Sequence, residues 1–196
     1  MGGFELATGF TPLAFVLAAV MTFGAAAIRG LTGFGMAIIL VPLLGLLMRP
    51  DDAVVVGLYL QLLIGPVGIT KIVENADHKS AIPIALIAML ATPLGVWALA
   101  HTAPDLARLI IAAIAVGAFV LTLVTRQAKG RPGPVATLLS GFAAGVLTGF
   151  AAMPGPPVVP YYLREAFAPP IARASMMLIF FGTAIAGTLA TALIGL

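Results

Sequence analysis

Polar and apolar positions segregate along this chain instead of alternating. Charge-free apolar runs cover residues 6–28, 30–48, 53–70, 80–100, 109–125, 132–163 and 174–196, and the charges gather in the short stretches between them. A helix needs about 20 such residues to cross the hydrocarbon core, so each run reaches that length or nearly so. The run 132–163 has room for one helix and a broken second one, which brings the expected total to about eight helical segments. Inside a bilayer every backbone polar group must find a partner within the protein, which leaves helices or a closed barrel. None of the runs shows the two-residue period of a barrel strand. The fold class expected is therefore all-α, a polytopic integral membrane protein.

Composition excludes a soluble domain. Of the 196 residues, 61% are hydrophobic and 9% charged, against about 25% charged in water-soluble domains. Cysteine is absent, which removes disulfide scaffolds, thiolate metal sites and cysteine nucleophiles. No cofactor or metal is expected. A net charge of +3 would suggest nucleic acid in a soluble protein; here the Lys and Arg residues lie between apolar runs and orient the chain, so the partner is the bilayer and no nucleic acid is expected. Glu5 stands where a signal peptide would carry positive charge, so the first run reads as a retained span.

Those charges also set a topology. With the N-terminus outside and eight crossings, Arg29, Lys71, Lys79, Arg126, Lys129, Arg131, Arg164 and Arg173 face the cytoplasm, and Arg49 and Arg108 face out. The basic stretch 126–131 divides the chain into halves, 1–125 and 126–196. The halves repeat: Leu31-Thr32-Gly33-Phe34 returns as Leu147-Thr148-Gly149-Phe150, and Val41-Pro42 as Val159-Pro160. Five segments precede the second copy, an odd number, so it enters from the opposite side, as in the inverted-topology repeats of secondary transporters. In this frame Leu196 corresponds to roughly His78, and the second repeat is expected to be shortened, as a natural short form or a fragment.

Two constellations carry candidate chemistry. Arg29-Gly30-Leu31-Thr32-Gly33-Phe34-Gly35 holds three glycines in six residues, from Gly30 to Gly35. These either break the helix or let it pack closely against a neighbour. Thr148-Gly149-Phe150-Ala151-Ala152-Met153-Pro154-Gly155-Pro156-Pro157 has three prolines and two glycines in the nine residues from Gly149 to Pro157, which no helix runs through, so the segment is either a break within a span or an ordinary loop between two spans. Irregular backbone at membrane depth points to a cavity. A helix restarting there aims free N–H groups and the positive end of its dipole into that cavity, which suits an anion. Broken segments at matching positions of two halves mark a transporter's binding site, so the candidate substrate-binding residues are Arg29, Gly30, Thr32, Gly33, Phe34, Gly35, Thr148, Gly149, Gly155, Pro156 and Pro157, with Gln61 as the one amide inside a span. Arg29 serves either as an interfacial anchor or as a contact to the anion. Gln61 either lines the pathway or bonds a neighbouring helix. The hydroxyls of Thr32, Thr148, Ser140 and Ser175 suit anion coordination or back-bonding to their own helices equally. Asp and Glu are missing from all the apolar runs, which leaves no carboxylate proton relay. An intramembrane serine protease would need a histidine base within a helix, whereas His78 lies in a charged loop and His101 at a span terminus; no enzyme is expected.

The repeated pattern of apolar helix, Gly-rich break, Val-Pro and helix after an acidic turn resembles the TauE/SafE sulfite-exporter family, also known as toluene-sulfonate uptake permeases. The resemblance covers about residues 15–196. Its most specific parts are Arg29-Gly30-Leu31-Thr32-Gly33-Phe34-Gly35-Met36 with Val41-Pro42, and Gly155-Pro156-Pro157-Val158-Val159. It implies transport of sulfite, a sulfonate or a related small organic anion across the bacterial cytoplasmic membrane, with a non-transporting subunit of the same family as the alternative and a homo-oligomer left open. The topology is directly testable. A reporter active only in the cytoplasm should be active when fused within 126–131 and silent when fused within 49–52; the reverse pattern would overturn the orientation.

Overall fold

The computed structural model describes residues 11–124, 130–163 and 166–196, apart from the side chains of Leu31 and Thr32. These residues form helices and no strands. The first, α1 (Pro12–Thr32), starts behind Thr11, whose hydroxyl accepts the Ala14 N–H at 3.2 Å, with proline at the first helical position. It stops at Gly33, left-handed at φ +83°, whose N–H closes on the Arg29 carbonyl at 2.7 Å. There follow α2 (Met36–Leu44), α3 (Pro50–Ile64), α4 (Ile69–Asn75), α5 (His78–Ala100), α6 (Pro104–Val124), α7 (Pro134–Ala151), α8 (Gly155–Tyr162) and α9 (Pro169–Ile194). Five of them, α1, α5, α6, α7 and α9, are long and apolar enough to cross a membrane, and a sixth span arises if α3 and α4, bent by 84° at their junction, count as one.

Several sequence expectations need correction. Among the described residues five or six spans, and not eight, are long and apolar enough to cross. With nine residues, α2 is about 14 Å long, half the hydrocarbon core, and α8 is shorter still with eight. The run 53–70 does not continue as one helix: it ends at Ile64, and Gly68 (φ +74°) opens the differently directed α4. Nor do the breaks fall where the glycines begin. The first helix runs on through Arg29 and Gly30 to Thr32, and α7 runs through Thr148, Gly149 and Phe150 to a left-handed Ala152 at φ 55°. An isolated glycine costs a helix about 1 kcal/mol, which the surrounding turns absorb; the left-handed residue, not the first glycine, ends each helix.

Small residues set the closest helix pair. On α7, Gly141, Gly145 and Gly149 lie under the Ile84, Ala88 and Thr92 carbonyls of α5, and Gly95 of α5 answers against the Val146 carbonyl. Helices in lipid gain their affinity from such close approach, not from hydrophobicity. Along α9, Gly182 meets Met89 of α5 and Gly187 meets Leu58 of α3, so α9 bridges the two halves. One buried cluster holds Leu40, Val41, Val54 and Leu58 of the first half together with Phe150–Met153 of the second break. The other joins α5, α8 and α9 through Ile84, Val158, Tyr162 and Ile179. Large apolar side chains such as Leu90, Trp97, Phe119 and Leu193 point outward, as a lipid-facing surface requires.

Charged groups collect at two levels about 34 Å apart, the length of the 23-residue α5. At its start, Asp77 pairs with Arg131 at 3.2 Å and accepts the Ser80 hydroxyl at 2.6 Å. At its finish, Arg108 donates to the Gly45 carbonyl at 2.7 Å, and Arg49 pairs with Asp51 at 3.0 Å.

The α5–α7 contact predicts a contrast between two glycines. Gly145→Ala sets a methyl against the Ala88 carbonyl and should cost about 1–3 kcal/mol. Gly117→Ala on α6, where nothing lies within 4 Å, should be neutral or stabilise by up to about 1 kcal/mol. Thermal unfolding in detergent micelles measures both.

Candidate functional site

The two short helices begin at the same place. Gly35, left-handed at φ +90°, turns the chain into α2, and Pro154 turns it into α8. A cavity of about 20 Å³ takes Gly35, Met36, Ala37 and Ile38 from the first start and Met153, Pro154 and Gly155 from the second. From this point the helices diverge. Beyond its end α2 reaches Gly45, held by Arg108 beyond the finish of α5, whereas α8 ends at Tyr162, whose hydroxyl lies 2.8 Å from that of Ser80 at the start of α5. Neither start is capped by a side chain. Two uncapped N-termini thus direct positive dipole ends at one cavity. They contribute unequally: Pro156 and Pro157 have no N–H, so the first turn of α8 offers Gly155 where that of α2 offers Met36, Ala37 and Ile38.

Arg29 adds a full charge. It sits in the last turn of α1 and its side chain folds inward to line the cavity, leaving the residue 5% exposed. Its Nε is buried without a hydrogen-bond partner. The sequence allowed two roles, an interfacial anchor and a contact to an anion; the structure places the side chain inside the bundle, against the cavity. A buried guanidinium with an unmatched donor is costly unless an anion answers it, and the residues lining this cavity include no carboxylate.

Gln61 closes the second break. Its Nε2 donates to the Ala152 carbonyl at 2.9 Å and to the Gly57 carbonyl at 3.3 Å. Ala152 is held left-handed by N–H bonds from Ala152 to Thr148 O (2.7 Å) and from Met153 to Leu147 O (3.2 Å), a conformation costing about 1–2 kcal/mol for a residue with a side chain. With both amide hydrogens drawn to carbonyls, the group Gln61 has left for the cavity is its amide oxygen.

Of the candidate residues, the structure brings Arg29, Phe34, Gly35, Gln61 and Gly155 together around the cavity. The others lie elsewhere. Thr148 donates to Ala144 O of its own helix at 2.7 Å, and Gly149 is spent on the contact with α5. The Gly30 carbonyl accepts Nη2 of Arg173 at 2.7 Å, and the Arg173 stem lies across Gly33. Pro156 and Pro157 shape the first turn of α8 without lining the cavity. The Thr32 side chain lies outside the described residues. Sequence reasoning missed the wall Phe180 and the tether Arg173, and did not single out Met153 within the stretch it pointed to. Met153 could have been found from its place beside Pro154; Phe180 carries no local signal, because only the docking of α9 brings it in.

These features define a polytopic helical membrane protein in which two opposed half-helices meet at a buried cation. The chain belongs to the sulfite exporter TauE/SafE family, whose sequence model matches residues 17–196; this is a family of membrane transporters. No curated protein and no solved structure matches the chain.

The Gln61 bond makes a stability prediction. Gln61→Leu leaves the Ala152 carbonyl buried without a donor and should cost about 1–3 kcal/mol. Gln61→Glu should cost more, since a carboxylate would face that carbonyl. Melting temperatures of purified variants decide, and parental stability in both would remove Gln61 from this role.

Proposed function

We propose that the chain carries a small oxyanion, sulfite or a sulfonate, across the cytoplasmic membrane, holding it between the start of α2, Gly155 and the guanidinium of Arg29. The observation that carries this reading is the unmatched Nε of Arg29 in a cavity bounded by two uncapped helix starts. Planar or tetrahedral oxyanions accept several hydrogen bonds at once, which suits a guanidinium and clustered backbone N–H groups together. A cation would meet the same charges as repulsion. The cavity has room for roughly one water, so this conformation is closed, and the anion enters and leaves as the surrounding walls separate. Half-helices leaving the cavity in opposite directions support two inverted repeats and alternating access to opposite faces. The level holding Lys71, Asp77, Arg131 and Arg173 is then the cytoplasmic one, by its excess of Lys and Arg.

Ligand-dependent melting of the purified protein tests the reading. Sulfite at a hundredfold excess over its dissociation constant should stabilise by about 2.7 kcal/mol, with chloride at equal ionic strength giving little. Arg29→Gln should abolish that response, and Arg29→Lys should retain part of it, because the charge survives without the planar fork. Stabilisation by an organic amine, with none by sulfite or a sulfonate, would overturn it.

A further inference from the structure

A second, larger chamber of about 850 Å³ lies beside the first, and Phe34 lines both. Its walls come from the turn before α4 and α4 itself, from the end of α8, and from the start of α9. Among the described residues two charged side chains line it, Lys71 and Arg173, and both are cations. Arg173 is fixed there by design of the backbone: its Nη2 rests on the Gly30 carbonyl at 2.7 Å and its stem crosses Gly33, which as glycine leaves room for it. The guanidinium thus stands at the rim of the first break, on the chamber side, while Arg29 stands inside it.

Phe34 occupies an unusual length of chain. Its two neighbours, Gly33 and Gly35, are both left-handed, at φ +83° and +90°. Glycine pays little to leave or enter that region, so the peptide carrying the half-buried ring has a joint on either side. The second break has no such pair: its left-handed residue is Ala152, followed by Pro154, Pro156 and Pro157.

We infer that the chamber is an outer anion station, where Arg173 and Lys71 first meet the transported oxyanion, and that Phe34 is the swinging barrier between this station and Arg29. This rests on the reading of Arg29 as the anion's inner partner. Two cations facing an open chamber raise the local concentration of anions. Between them and the inner cavity stands the aromatic ring, and its glycine joints let it swing without moving α1 or α2.

The chain has no cysteine, so single cysteines report access directly. Ala37→Cys marks the inner cavity, where Ala37 is 6% exposed, and Met177→Cys marks the chamber. The probe is 2-sulfonatoethyl methanethiosulfonate, a soluble sulfonate that modifies thiols, compared with the neutral methyl reagent on purified protein in lipid-free detergent. Cysteine at 177 should react about tenfold faster than cysteine at 37, and Phe34→Ala should raise the rate at 37 about tenfold while leaving that at 177 unchanged. Arg173→Gln should lower the sulfonate-to-neutral rate ratio at 177 about tenfold. Phe34→Leu and Phe34→Trp, which keep a large apolar side chain, should speed and slow labelling at 37 respectively, and they decide the matter if Phe34→Ala does not fold. Unchanged labelling at 37 across the folded Phe34 variants would overturn the barrier, and an unmoved ratio in Arg173→Gln would overturn the station. These rates do not require sulfite to bind at Arg29. Loss of the melting response with the labelling pattern intact therefore sinks the inner partner, and the reverse sinks the barrier and station.

Discussion

A helix can stop within a bilayer only where the protein itself takes the carbonyls that its last turn leaves without partners. The two helices that stop inside this molecule are each closed by a side chain from the opposite half. Gln61 of α3 takes the Ala152 carbonyl at the end of α7, and Arg173 of α9 takes the Gly30 carbonyl at the end of α1. Both bonds cross more than ninety residues of sequence, and neither half could supply its own closure. The exchange makes the halves one folding unit: without α9 the first break has an exposed helix end, and without α3 the second has a buried one.

The same exchange sorts the electrostatics of the breaks. At the two C-terminal ends, donors from Gln61 and Arg173 offset the negative dipole ends. At the two N-terminal ends the capping positions, Gly35 and Pro154, make no side-chain cap bond, and the side-chain acceptor lining the cavity is the neutral amide oxygen of Gln61. Negative ends are answered and positive ends are not, so the cavity between them is left with a net demand for negative charge, which Arg29 increases. On the proposed function the absence of a carboxylate among the described lining residues follows the same logic, since one would satisfy that demand permanently and leave an arriving anion nothing to gain.

The helical membrane fold could be read from the chain because a lipid core demands long charge-free runs and the chain has them. The existence and approximate place of both breaks could be read as well, from Gly33 and Gly35 in one half and the prolines after Met153 in the other. Their limits could not. Arg29 lies on a continuing helix because the left-handed turn comes at Gly33, and glycine composition alone does not say which glycine adopts it. Thr148 and Gly149 match Thr32 and Gly33 in letters, yet α7 carries on through them, because Gly149 is needed opposite the Thr92 carbonyl of α5. That requirement comes from a helix more than fifty residues away and leaves no mark on the local sequence. Gln61 stood out as a lone amide in an apolar run, but its partner, a carbonyl 91 positions further on, was set by tertiary structure.

The matching letters also conceal a mechanical difference between the breaks. Around the first, Gly33 and Gly35 are both left-handed, a conformation each can leave at little cost. Around the second, Ala152 is held in that conformation by two backbone bonds and by Gln61, and Pro154, Pro156 and Pro157 fix their own φ angles. The second break is also buried in the apolar cluster of the first half, with Ala151, Ala152 and Met153 fully enclosed. On the proposed function, a cavity with room for one water must widen before an oxyanion enters, and its two walls are built differently. In that reading the wall built on prolines and a tied alanine is the reference surface, and the wall with glycine joints supplies the displacement. On the proposed function, two segments that share a four-residue motif thus divide the work: the second holds the site's shape, and the first changes it.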